Sequence, residues 1–250
     1  MKFSVCLDAV FHGRDTVESM KALAAAGINT VEFWAWWEKD LSAIQQAREE
    51  LGINISAFCT KFVSLVDAGL RQTYLIRLEE SIEAARKLGC AKLITQVGNT
   101  LEGTTKERQR QNLIEGLAAC VPLLSDAGVT LLVEPINTKE AKDYFLYSSE
   151  EAFDIVGEVG SSFVKVLFDI YHQQIMEGDL ITRITENIGK IGHFHAAGNP
   201  GRHELHTGEI YYPDIFKAID QSGFDGYMGL EYFPLEPPLP YLQNLAQKFS

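Results

Sequence analysis

Four residues in the second half of the chain have the types and the placing to do chemistry together. Glu134 closes the run L-L-V-E, Asp169 closes V-L-F-D, His195 closes H-F-H and Glu231 closes G-L-E. Each stands where a short apolar strand should give way to a loop. Taken singly, a strand-end acid commonly just meets water or caps the next helix. Three carboxylates and an imidazole gathered at one mouth are different. They would repel one another and lose hydration unless a cation sat among them. Hard oxygen donors with one nitrogen suit Mg2+ or Mn2+, with Co2+ a further fit. Two of the carboxylates could also give and take protons.

Neighbouring residues fill out the site. His172, in D-I-Y-H, could reach a substrate oxygen or merely begin a helix. His193 lies two before His195, so it points to the same side of the strand and deeper; it is a partner behind His195 or a satisfied core histidine. Arg202, in N-P-G-R-H-E, is the best candidate to grip a substrate carboxylate, because its fork matches that group in two bonds; a surface arginine is the alternative. Asn137 and Glu140 lie on the loop after the fifth strand and are candidate substrate contacts. Trp34, Trp36 and Trp37 follow the second strand and either wall a pocket or pack the loop. His12, His203 and His206 are not assigned ligand roles. Cys6, Cys59, Cys90 and Cys120 include no C-x-x-C pair and sit in apolar segments, as buried free thiols of a reducing compartment do.

The elements that must position these groups come from one repeated joint: a helical pattern, a glycine, then a short apolar strand. It recurs as A-A-A-G before I-N-T-V-E-F-W, E-E-L-G before I-N-I-S-A-F, R-K-L-G before C-A-K-L-I-T and S-D-A-G before V-T-L-L-V-E. It continues with E-V-G-S-S before F-V-K-V-L-F-D, N-I-G-K before I-G-H-F-H, and Q-S-G before F-D-G-Y-M-G-L-E. Glycine after a helix relieves the left-handed backbone that ends many helices. With the N-terminal K-F-S-V-C, this predicts eight strands. Between them run amphipathic helices, with Leu75, Leu78, Ile82 and Ala85 on one face of the third and Ile114, Leu117, Val121 and Leu124 on one face of the fourth. Strands alternating with helices call for a parallel sheet, and eight units at this length fit a closed (β/α)8 TIM barrel over residues 1–250 as a single domain. An open doubly wound sheet is the alternative, but the first strand lacks the G-x-G-x-x-G loop expected there. Pro234, Pro237, Pro238 and Pro240 form a stiff loop leading into a C-terminal helix.

Composition narrows the partners. The 250-residue chain carries 22 basic and 34 acidic residues, a net charge of −12, which disfavours a phosphate backbone as partner. No apolar run approaches the ~18 residues of a membrane span, and the N-terminus is unlike a signal peptide, so a cytoplasmic protein with no membrane and no nucleic-acid partner is expected. Aromatics near the second strand and the proline-rich tail offer surfaces for a homo-oligomer.

The segments E-P-I-N-T, Y-F-L-Y-S-S, D-I-Y-H-Q-Q-I-M-E-G-D-L, G-H-F-H, P-G-R-H-E, T-G-E-I-Y-Y and G-L-E-Y, in that order, resemble the xylose-isomerase-like barrel superfamily and, within it, the hydroxypyruvate isomerases. The resemblance implies a divalent metal held by Glu134, Asp169, His195 and Glu231, with Glu134 and Glu231 as the catalytic pair. It implies isomerisation of hydroxypyruvate to tartronate semialdehyde, or of a close small hydroxy-carbonyl compound, through an enediolate. His195 departs from the pattern: hydroxypyruvate isomerases often carry Gln there, whereas the related ketose 3-epimerases carry His. Glu140 likewise sits where those epimerases hold a substrate-binding acid, so a ketose 3-epimerase acting on free or phosphorylated sugars is the alternative. A nuclease on this barrel would need more histidines and a basic face. A Schiff-base aldolase would need a strand-end lysine, and Lys92 and Lys165 lie at strand starts. A non-catalytic sugar binder would have little use for four converging ligands.

Overall fold

The computed structural model describes residues 1–249. Its frame is eight parallel strands: β1 (Lys2–Cys6), β2 (Thr30–Phe33), β3 (Asn54–Cys59), β4 (Lys92–Thr95), β5 (Thr130–Val133), β6 (Val164–Asp169), β7 (Ile191–Ala196) and β8 (Tyr227–Leu230). They pair in sequence order and β8 returns to β1, from Lys2 opposite Tyr227 to Val5 opposite Leu230, closing the expected barrel. Among the described residues, no helix is long and apolar enough to cross a membrane.

The repeated joint is the part of the sequence that drives this closure. Six of its seven glycines have φ between 63° and 78°, four of them directly capping helices that end at Leu51, Leu88, Ala127 and Val159. The joint before β7 differs. There the helix Leu180–Asn187 runs into a 3-10 turn, Ile188–Lys190, which contains Gly189, so this glycine ends no α-helix. The apolar helix faces fall close to their expected positions: Leu78, Ile82 and Ala85 are buried on Arg71–Leu88, and Leu117 and Leu124 on Lys106–Ala127. Pro238 opens the C-terminal helix, Pro238–Phe249.

Alternation along each strand sorts side chains between two compartments. Leu131 and Val133 face the helices in the main core. Leu132 faces the lumen, where it packs with Ala57, Cys59, Ile94, Leu167 and Trp34. This period of two carries inward every second residue beyond them. Glu134 follows Leu132 by two, Asp169 follows Leu167 by two, and His193 and His195 flank the outward Phe194. Register then brings neighbours together, with Asp169 opposite His195 and His195 opposite Gly229. The side of the lumen away from the apolar packing is polar, built from Ser4, Glu32, Ser56 and His193, all buried.

Candidate active site

Glu134, Asp169, His195 and Glu231 meet at the C-terminal mouth of the barrel. All four are buried, and one donor atom from each falls within 4.8 Å of all the others. Glu134, His195 and Glu231 line a cavity of about 620 Å³ whose walls also include Trp34, Cys59, Phe62, Gln96, Asn99, Tyr144, His172 and Arg202. Strand ends supply the floor and the loops beyond them supply the walls, as this architecture requires.

Asp169 serves two purposes. Its Oδ1 accepts from the backbone N–H of Tyr171 (2.8 Å) and of His172 (3.3 Å), capping the helix Ile170–Met176. Its Oδ2 is left for the site, 3.2 Å from Arg202 and 3.4 Å from His172 Nε2. The cap therefore aims the carboxylate. Glu231 accepts from the Trp34 indole N–H at 2.5 Å and from Arg202. Glu134 accepts from Gln96 at 3.2 Å. His195 turns Nδ1 towards the acids, 3.1 Å from Glu231 Oε2 and 4.0 Å from Glu134 Oε1.

The electrostatics divide the two glutamates. Burial and the neighbouring Glu231 carboxylate push Glu134 up to about 8. Burial also works against ionising Glu231, but His195 and Arg202 outweigh it and hold that carboxyl well below the usual range. His195 loses hydration by burial, yet Glu231 and Glu32 raise it well above an ordinary imidazole. His172, buried with less compensation from Asp169, is lowered.

The four residues fit a hard divalent cation. Three carboxylates and one imidazole are a Mg2+ or Mn2+ donor set. Nδ1 of His195 is buried without a hydrogen-bond partner even though a carboxylate oxygen lies nearby. In the neutral ring this nitrogen would offer a lone pair to the cluster, where a cation could accept it.

The expected substrate contacts do not all reach the cavity. His172, Arg202 and Glu140 line it. Asn137 is fully buried behind them, its amide 2.6 Å from His172 Nδ1, so it orients the histidine and does not reach the cavity. Arg202 is gripped by Glu231 and Asp169, lies 3.7 Å from Glu140 and sits over the Tyr171 ring at 5.1 Å. Tyr171 in turn donates to Glu140. Of the tryptophans, Trp34 walls the cavity, Trp36 donates to Ser81 (3.3 Å), and Trp37 packs edge-on against Phe62. His12 lies outside the cavity near Phe233, His203 approaches the Phe233 carbonyl at 2.7 Å, and His206 packs on Tyr241. Lys92 and Lys165 donate to the carbonyls of Gly192 and Gly189 at the other end of the barrel. Contributors that the sequence does not single out include Glu32, Gln96 and Gly229. Glu32 carried a signal, a lone acid inside the apolar run I-N-T-V-E-F-W with large apolar residues on both sides.

A closed parallel eight-stranded barrel with a buried acidic cluster at its C-terminal mouth defines a (β/α)8 scaffold whose mouth could hold a metal ion. The sequence profile of the xylose isomerase-like TIM barrel family matches residues 20–248, and the chain belongs to that family. It is similar to the 2-oxo-tetronate isomerase of Cupriavidus necator, at 30% identity over 93% of each chain. It is equally similar to the hydroxypyruvate isomerase of Escherichia coli, at 30% identity over 94% of each. Among solved structures it resembles one described as an AP endonuclease, family 2, from Brucella melitensis, with 28% identity, a TM-score of 0.93 and 98% of each chain covered.

Proposed function

We propose that this protein is a metal-dependent isomerase of small α-hydroxy-keto acids, of the hydroxypyruvate or 2-oxo-tetronate kind. The observation that carries this is the convergence of Glu134, Asp169, His195 and Glu231, with one donor atom from each within 4.8 Å of the others, at the mouth of the barrel. Similarity to two isomerases of such acids supports the substrate class.

Glu134, Asp169, His195 and Glu231 would hold the metal, Mg2+, Mn2+ or Co2+. When bound, it would supply Lewis-acid polarisation of the substrate carbonyl. The chain's own groups do the rest. One of Glu134 and Glu231 removes the proton from the hydroxyl-bearing carbon, and the C–H electron pair becomes the C=C bond of an enediolate. The other returns a proton to the former carbonyl carbon, while the hydroxyl proton passes from one oxygen to its neighbour, so nothing is gained or lost. Trp34 N–H on Glu231 and Gln96 N–H on Glu134 keep each acid turned to its place. Arg202 faces the substrate carboxylate, and His172, oriented by Asn137, meets a substrate oxygen.

One feature favours a second substrate class, the free ketoses of a 3-epimerase. The cavity, about 620 Å³, is roomy for a three-carbon acid, and Glu140 stands in its wall beside Arg202 and Tyr171. Arg202 is also the one arginine or lysine among the described lining residues, beside Glu38, Glu134, Glu140 and Glu231. That balance disfavours a phosphorylated substrate or a nucleic-acid backbone.

The test is proton exchange in deuterated water with Mn2+-loaded protein, offered hydroxypyruvate, a four-carbon 2-oxo acid, fructose, tagatose and ribulose. Deuterium entering the acids is the expected result, with an aldehyde formed from hydroxypyruvate and a 3-oxo acid from the four-carbon substrate. Exchange at C3 of the ketoses alone would move the assignment to epimerisation, and no exchange with any compound would overturn the enzymatic reading. Glu134→Gln and Glu231→Gln should each abolish turnover with the fold intact.

A further inference from the structure

We infer that Glu32 is a positioning residue for His195, and that Gly229 is the gap that lets it act. The inference rests on the metal-binding reading of the mouth cluster. Glu32 stands on β2, across the lumen from β7, and is 1% exposed. Its Oε2 takes a hydrogen bond from Ser56 Oγ at 3.0 Å and lies 2.9 Å from His193 Nε2. Its Oε1 lies 2.8 Å from His195 Nε2. The N–H axis of His195 is off the line to that oxygen, and both atoms are buried with no other partner. The outer torsion of histidine is soft, so a small ring rotation joins them.

The two faces of His195 are thus divided. Nε2 is turned to Glu32, and Nδ1 is turned to Glu231 and Glu134. A carboxylate behind one ring nitrogen holds the proton there, leaves the lone pair on the other, and makes that lone pair more basic. This is the tautomer a metal at the mouth cluster requires. Packing alone gives no reason for a carboxylate here: the opposite side of the lumen is filled with Ala57, Ile94, Leu132 and Leu167.

Gly229 shows how closely the three strands are fitted. It pairs with His195 across β7 and β8. A Cβ at this position would lie 2.6 Å from His195 Cδ2 and 2.8 Å from Glu32 Oε2, and nearer still to Oε1. Only a residue without a side chain lets the carboxylate and the imidazole meet. Gly229→Ala therefore perturbs the pair from a third strand while leaving the identity of both residues unchanged.

The experiment measures Mn2+ binding to metal-free protein by the resonance of free Mn2+, for the wild type, Glu32→Gln and Gly229→Ala. The Mg2+-loaded proteins, labelled with 15N-histidine, then report the His195 ring. Wild type should bind one Mn2+ and show a slowly exchanging Nε2 proton on His195. Both variants should bind Mn2+ about 10–100-fold more weakly, with that proton exchanging fast and the rest of the spectrum folded. If wild type binds and both variants bind within threefold of it with the Nε2 signal unchanged, Glu32 has no positioning role while the metal reading stands. If wild type binds two ions and Glu32→Gln one, the group Glu32, His193 and His195 is itself a metal site and the inference is overturned. If wild type binds none, the metal reading and the inference fall together.

Discussion

Replacing Glu134 by Gln should stabilise the metal-free protein while disabling it. In the fold, this carboxyl is raised from 4.5 to about 8 by burial and by Glu231. An acid whose folded value is raised keeps its proton longer in the native state than in the unfolded chain. Stability therefore falls as pH rises from 4.5 through 8. At about 1.4 kcal/mol per pH unit, ionising Glu134 costs the fold up to ~5 kcal/mol above pH 8. Glutamine removes that cost but must house an amide. Gln96 at 3.2 Å can still donate to its carbonyl oxygen, whereas the amide N–H groups lose water, returning about 1–2 kcal/mol. The net gain should be ~3 kcal/mol at pH 8, and near zero or slightly negative at pH 5. Urea unfolding in EDTA at the two pH values measures it, read as a midpoint shift at constant slope. A variant no more stable than wild type at pH 8, or one displaced equally at both pH values, would refute the reasoning. With Mn2+ at about a thousand times its dissociation constant, worth ~4 kcal/mol, the order at pH 8 should reverse, because the wild type keeps all four donors and gains more from binding.

Mn2+ at a hundred times its dissociation constant should stabilise the wild type by ~2.7 kcal/mol, raising Tm by about 5–10 °C, and EDTA should reverse both this and activity; an unmoved Tm at millimolar Mn2+ contradicts the cluster's role. Arg202→Lys should raise KM for a keto acid about 10–100-fold, the loss of one charge-assisted hydrogen bond, with a smaller change in kcat; steady-state kinetics on the acid and on a neutral ketose separate this from general damage. The four cysteines should resist a disulfide reagent at pH 8 in the native protein and all react in urea. Burial pushes Cys90 and Cys120 up to about 12 and Cys6 and Cys59 well above the ordinary thiol, leaving on the order of one molecule in ten thousand as thiolate at pH 8. Fast labelling of any one of them without denaturant would show that its burial is wrong.

The barrel was legible because its signals are local. A glycine after a helix and four to six apolar residues after the glycine are properties of adjacent residues, and they recur. The joint at Gly189 departs from the others for the same reason, since a glycine in a 3-10 turn and one beyond a helix look alike in sequence. Glu134, Asp169, His195 and Glu231 could be found because a strand's end is marked in the sequence and this architecture puts strand ends at one mouth.

What the sequence determined by itself was the element order, the barrel and the inward parity of those four residues, because a period of two needs no partner to be counted. What only the tertiary structure decided was which groups meet across the lumen. Asn137 lies behind His172, Arg202 is held by Asp169 and Glu231 at the mouth, and Glu32 reaches His195 from the far side of the barrel through the space left at Gly229. Contacts of this kind join residues as far as 197 apart in the chain, as Trp34 and Glu231 are. They depend on closure, stagger and the absence of one side chain, which no stretch of sequence displays alone.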